Sequence, residues 1–303
     1  MIERNDISKS DLQLKPLFYR LLKTSEYILI VAGQEPLVVS DNFFQAIRHK
    51  QYFNDFTDSE KEIFLEADFF CKAIDSALYI LPQDTIGISA MLKKVFLCIA
   101  EILSIIVIIY AFSANPSLAS IKRITFEIPI LQMLIYVIIF SLLSTALHEL
   151  MHISYANTFH MKRGGLKLHF IKSIATVSMT HIWGWSSFSS RAAAVAAGIV
   201  SDTFILAIIA MIRLNGYHWM FDMDIYILGI KIIWQFGFHR NRDGRILALL
   251  IFDNPLIMQN ARDKNNFSGK DVKIWRWLIR IGYFVDCSLI FFFTKIVISC
   301  LNM

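Results

Sequence analysis

The chain has 303 residues, is 55% hydrophobic with 25 Phe, and has a mean hydropathy of +0.50, which excludes an ordinary soluble globular domain. Its formal net charge of +5 is unevenly spread, acidic on balance over residues 1–94 and basic beyond. No basic stripe with interleaved aromatics is present, so no nucleic-acid partner is expected. Several apolar runs approach the ~20 residues a bilayer crossing needs, and a polytopic membrane protein is expected.

Residues 1–90 read as a small soluble domain. Glu26 to Val31 and Leu37 to Ser40 look like two short strands joined by the turn-rich Ala32-Gly33-Gln34-Glu35-Pro36. Asp41 is the expected N-cap of a helix through Phe43, Phe44 and Ile47. Asp58 or Ser59 caps a second helix running to Tyr79, with Glu62 in a capping-box position relative to Ser59. The order strand, strand, helix, helix suggests a winged-helix-like unit, ended at Leu81-Pro82.

Residues 91–303 read as a membrane domain with about five spans. Lys93-Lys94 flank the first, Val95 to Phe112, and a link broken by Pro116 leads to the second, Ile128 to about Ala156. Between 157 and 190 the pattern changes. Gly164-Gly165 precede alternating apolar residues at Leu166, Leu168 and Phe170, and Ala175 to Met179 alternates again, so a β-hairpin is expected. Trp183-Gly184-Trp185 reads as an interfacial aromatic anchor. The third span, Ala192 to Ile212, opens with small residues that permit close packing. The fourth, Ile225 to Phe252, is interrupted by residues 239–245, and the fifth runs from Ile281 to Ser299. Lys and Arg concentrate in loops 157–191 and 253–280, which predicts a cytoplasmic N-terminus in the cell (cytoplasmic) membrane. Met1 to Lys23 lacks a signal-peptide pattern, so insertion is expected to use an internal apolar segment. Cys71, Cys98, Cys287 and Cys300 show no C-x-x-C spacing and read as small apolar residues.

The chemistry concentrates in His148-Glu149-Leu150-Met151-His152, an H-E-x-x-H pattern at the end of an apolar run. On a helix the two histidines share a face and can grip one zinc ion, with Glu149 as general base toward the attacking water. Ionisable groups within an apolar span are costly, which favours a functional reading. A catalytic zinc takes three protein ligands. A third His at position 158 is excluded, because Thr158 stands there, and Glu149 is the last glutamate of the chain. The third ligand is then an aspartate, another histidine, or absent. Asp222, Asp224, Asp253, Asp263 and Asp271 read as solvated loop charges, whereas Asp202 and Asp286 lie within spans and each needs a partner. Asp243 is best placed, at the break in span four beside a flexible Gly244. Its competing role is a salt bridge with Arg240, Arg242 or Arg245, and His239 is the main rival ligand. His160, His169 and His181 read as loop histidines at an interface. A di-iron hydroxylase would need more histidine boxes than this single one.

With these motifs in hand, the chain resembles the site-2 protease family of intramembrane zinc metalloproteases over residues 128 to about 260. The resemblance rests on H-E-x-x-H at 148–152, on Ala196-Ala197-Gly198-Ile199-Val200-Ser201-Asp202 (similar to the family's A-G-P-x-x-N), and on Asp243-Gly244-Arg245-Ile246-Leu247 (similar to D-G-x-R-I-L). It implies Asp243 as the third zinc ligand. The stretch from Arg242 through Asn254-Pro255-Leu256 to Ala261-Arg262 is similar to the branch of peptide zinc metalloproteases that mature ribosomally made peptides. Residues 12–80 resemble, in strand and helix order, the small peptide-binding chaperone of PQQ biosynthesis that some members carry, which implies a leader-holding role. Ile199, Asp202, Gln235 and Phe238 depart from the family pattern.

The fold expected is an all-α polytopic membrane protein with a membrane-associated β-hairpin and a small N-terminal α/β (winged-helix-like) soluble domain. The expected activity is that of a Zn2+-dependent endopeptidase acting on a membrane-associated or precursor peptide, with His148, His152 and Asp243 on the metal and Glu149 catalytic. The alternative is a catalytically inert membrane protein that binds or exports a peptide, or confers immunity to it, and the departures motivate it.

Overall fold

The computed structural model describes residues 11–84, 87–119, 129–160, 166–169, 173–177, 179–217, 220–257 and 269–301. They fall into two compact units. One comprises 1–85 with 153–194, the other 86–152 with 195–303.

In the first unit, β1 (Leu12–Leu14) pairs antiparallel with β5 (Phe70–Lys72), while β2 (Phe18–Leu21), β3 (Tyr27–Ile30) and β4 (Leu37–Val39) form an antiparallel sheet with β3 in the middle. The run Y-I-L-I of β3 alternates with no polar residue, as suits a central strand covered on both faces, and Ile28, Leu29 and Ile30 are fully buried. Helices α1 (Asp41–Ile47) and α2 (Asp58–Glu66) complete a phenylalanine-rich core of Phe44, Phe53, Phe56, Phe64, Phe69 and Phe70. The Phe53–Phe70, Phe56–Phe64 and Phe56–Phe70 rings meet edge-on at 5.1–5.4 Å, an arrangement that ring quadrupoles favour.

Two helix boundaries differ from expectation. Ser40 rather than Asp41 caps α1, accepting a hydrogen bond from the Phe43 N–H. Thr57 rather than Asp58 or Ser59 caps α2, in a capping box completed by Glu60 instead of Glu62. That helix ends at Glu66 instead of Tyr79, because Asp68 turns left-handed at φ 54° and the chain enters β5, followed by a 3-10 segment, Ala73–Leu78. Strands β1, β2 and β5 join the two strands expected.

The connection after the H-E-x-x-H helix belongs to this same unit. Its 3-10 segment Thr180–Gly184 is tied to β2 by the Arg20 Nε, which donates to the Trp183 carbonyl at 2.7 Å. Trp183 and Trp185 are buried, and Trp185 Nε1 donates to the Pro82 carbonyl at 3.0 Å. They are core residues of the unit and not an interfacial anchor, since the segment that carries Trp183 packs on β2 and β3 and the Trp185 indole is tied to Pro82. The expected hairpin is present as β6 (Leu166–His169) and β7 (Ser173–Val177), antiparallel with Leu166 opposite Val177. Gly164, Gly165 and Phe170 lie outside the described residues.

The second unit is helical: α3 (Ile88–Ala114), α4 (Ile130–Tyr155) and α5 (Phe188–Leu214), which continue across the unit boundary where they reach it, then α6 (Phe221–Gln235), α7 (Asp243–Phe252) and α8 (Lys270–Leu301). Three of these, α3, α4 and α5, are long and apolar enough to cross a membrane. Outward residues such as Ile102, Ile106 and Ile109 on α3 and Leu131, Ile138 and Leu143 on α4 stand exposed, as suits side chains whose solvent is lipid. The α5 span is 61% buried against 17% for α3 and 11% for α4, so α5 is the central helix. The expected fourth span is two helices, α6 and α7, broken at 236–242. Gly244 is helical rather than a hinge. Its role is close approach, because a Cβ there would collide with the Gln235 carbonyl at the end of α6. The fifth expected span lies within α8.

Candidate metal centre

The histidine pair follows from helix periodicity. One turn of α4 stacks His148 and His152, both buried, with Nε2 atoms 3.2 Å apart. Asp243 comes from the other side of the break, as the first residue of α7, where a carboxylate also suits the helix dipole. Its Oδ2 lies 2.9 Å from His148 Nε2 and 3.1 Å from His152 Nε2. Residues 91 and 95 positions apart thus converge on one point.

The triangle fits a metal ion. Two ligands about 2.0–2.1 Å from a tetrahedral zinc stand roughly 3.3 Å apart, close to the three edges observed. Protonation points the same way. Asp202 on α5 is fully buried, and its Oδ2 lies 2.8 Å from His148 Nδ1. A carboxylate only accepts, so Nδ1 is the donor to Asp202, and a neutral His148 then has its lone pair on Nε2, facing the triangle. In that tautomer the lone pair faces a carboxylate oxygen and a second imidazole, a donor set that can take a cation. Gly198, one turn before Asp202, leaves the room: an added Cβ would collide with the Nε2 atoms of both histidines. Among the described residues no other His, Cys, Asp or Glu trio converges in this way. The group can hold a metal ion.

Glu149, the expected base, is half-buried on α4 next to His148. The rival assignments place elsewhere. His239 Nε2 lies 3.0 Å from the Asp286 carboxylate and its ring stacks on Tyr283 at 4.5 Å. Arg240 also pairs with Asp286, at 2.7 Å, and the guanidinium groups of Arg240 and Arg242 lie over the Trp234 ring. Asp286 thereby has the partners that its place in an apolar helix demands.

Asp222 and Asp224 are buried rather than solvated. Arg213 at the end of α5 grips both Asp222 oxygens, and Tyr136 donates to Asp224 at 2.7 Å. Charges at the ends of apolar helices are covered by neighbouring helices, and only a partner makes that tolerable. His181 is fully buried as well, donating from Nε2 to the Ala156 carbonyl at 2.6 Å, so it is a core residue of the first unit. The side chains of His160 and His169 lie outside the described residues.

One residue of the site escaped the sequence reading. Lys231 on α6 donates to Asp202 Oδ1 at 2.7 Å and to the Ser144 carbonyl at 3.1 Å. The signal was a lone ammonium within the apolar run from Ile225 to Trp234, which calls for a counter-charge.

Among known proteins, no family model matches this chain, and neither does a curated sequence or a solved structure.

Proposed function

We propose that this protein is a Zn2+-dependent intramembrane endopeptidase of the site-2 protease type, cleaving a membrane-associated or precursor peptide such as a ribosomally made one. The observation that carries the reading is the convergence of His148, His152 and Asp243 at the end of a helix apolar enough to cross a membrane. Two nitrogens and one carboxylate oxygen are a donor set that suits zinc.

A bound zinc would lower the pKa of its water toward ~7 and polarise the scissile carbonyl. Glu149 takes a proton from the attacking water and passes it to the leaving amine. His148 and His152 hold their Nε2 lone pairs toward one point, and Asp243 closes the triangle from the far side of the α6–α7 break. A helical peptide hides its carbonyls in its own hydrogen bonds, so the substrate unwinds first. The β6–β7 hairpin, among the described residues a two-stranded sheet with each strand paired on one side, offers an edge to which an extended segment can add.

The chain spans the cytoplasmic membrane about five times, by α3, α4, α5, the α6–α7 pair and α8, with the N-terminus in the cytoplasm as the Lys and Arg bias argues. The N-terminal domain, residues 1–90, holds the precursor, a role its resemblance to a small peptide-binding chaperone supports.

The test is metal content of the protein purified in detergent, together with Glu149→Gln. Peptides that co-purify with the variant are incubated with wild type and analysed by mass spectrometry. Wild type should contain about one zinc and cut a peptide that Glu149→Gln leaves intact. Equal processing by the variant would move the protein to the inert peptide-binding class.

A further inference from the structure

We infer that Asp202 and Lys231 form a positioning pair that fixes the tautomer of His148 and thereby sets the metal affinity of the site. The inference rests on the metal-binding reading above. Asp202 is fully buried, and each of its oxygens has a donor: Oδ2 takes the His148 Nδ1–H and Oδ1 takes Lys231 Nζ. Lys231 in turn reaches the carbonyl of Ser144, one turn before His148 on α4. Three helices, α4, α5 and α6, therefore meet at one ammonium–carboxylate pair behind the metal-facing imidazole.

The pair divides two tasks. A proton on Nδ1 leaves the Nε2 lone pair free toward Asp243 and His152, which a metal ligand needs. The ammonium offsets the charge of a carboxylate that no water reaches, and holds Oδ1 away from the Nε2 side. Asp243 then supplies the only carboxylate oxygen in the triangle, while Asp202 acts from behind the ring and touches no reacting atom.

The count of acceptors makes the inference testable. Two donors face Asp202, and an asparagine has one oxygen to offer them. In Asp202→Asn the ammonium claims that oxygen and the amide N–H2 turns to His148 Nδ1. The imidazole proton is then driven to Nε2, where a metal would bind. Removing the ammonium as well, in Asp202→Asn with Lys231→Met, returns the asparagine oxygen to the Nδ1–H.

The experiment is Co2+ titration of the full-length protein in detergent, followed by the visible ligand-field bands. The melting temperature of the metal-free form monitors the fold. Asp202→Asn should bind Co2+ about 10–100-fold more weakly than wild type, the usual effect of losing the group that orients a ligating histidine. The double variant should regain most of that loss. A residue that served packing alone would not be rescued by a second apolar substitution. If Asp202→Asn does not fold, the double variant is compared with wild type directly and should lie within about tenfold of it. Wild-type affinity in Asp202→Asn, or a double variant no tighter than the single one, overturns the pair's role while leaving the metal site standing. A wild-type protein that takes up no Co2+ overturns both.

Discussion

Gly198 of α5 abuts His152 of α4 so closely that even a methyl group would collide with the ring Nε2. The glycine is there for proximity, since its backbone is helical and an alanine would suit the helix itself better. What it preserves is space in front of the two Nε2 atoms.

Gly198→Ala should therefore impair metal binding without unfolding the protein. Forcing a methyl group into a packed site costs about 1–3 kcal/mol, and the cheapest relief is rotation of the imidazoles off the triangle. The expected outcome is roughly a 10-fold or greater rise in the dissociation constant for Zn2+, read by competition with a chromophoric chelator. Unchanged affinity would mean that the histidines do not use this space.

Asp243→Ala should lower zinc content of the purified protein, whereas His239→Ala should leave it unchanged. Asp243 Oδ2 faces both Nε2 atoms, and His239 is committed to Asp286 and Tyr283. Elemental analysis of the two variants side by side decides. The opposite result would transfer the third-ligand role to the histidine.

A pH dependence is expected in the first unit from His181. Burial holds this imidazole below its ordinary value of 6.5, although the Ala156 carbonyl pulls the other way, and its buried Nδ1 has no hydrogen-bond partner among the described residues. The folded value lies below the unfolded one, so the unfolded chain takes up a proton that the folded chain refuses. Stability is complete above about pH 6.5 and falls as the pH drops from there toward the folded value. Hydrogen exchange across 153–160 and 179–194, corrected for intrinsic rates, should accelerate between pH 7.5 and 5.5. His181→Gln should flatten that dependence.

Glu60 produces a second pH dependence at lower values. Burial alone would raise its carboxyl above 4.5, but Lys50 at 2.7 Å and the Thr57 N–H at 2.7 Å outweigh it and hold the group below. A depressed folded value means stability present above about pH 4.5 and lost as the pH falls through the folded value. The α2 amides should lose protection over that range in wild type, and Glu60→Gln should show less protection at pH 7 with little further change in acid.

Much of the site was legible because its signals are local. One helical turn relates His148 to His152, an apolar run surrounds them, and Asp243 stands at an evident break in the next such run. Helix boundaries of the first domain were less legible. Thr57 and Ser59 offer similar capping chemistry, and the left-handed turn at Asp68 depends on a buried Lys15 that reaches its carbonyl and carboxylate from β1's far end. Trp183 and Trp185 read as an anchor because indoles favour bilayer interfaces. Contacts with distant parts of the chain, at Arg20 for Trp183 and at Pro82 for Trp185, make them core instead.

The sequence by itself determined the apolar helices and the histidine pair, and excluded a glutamate as third ligand, since these depend on composition and on the 3.6-residue period. Tertiary structure alone decided which charges meet. Burial requires that every ionisable group in an apolar helix find a partner, but not which one. Asp286 goes to His239 and Arg240, Asp222 to Arg213, and Asp202 to Lys231 and His148. Only the packing of α4, α5 and α6 leaves Asp243 to the two imidazoles.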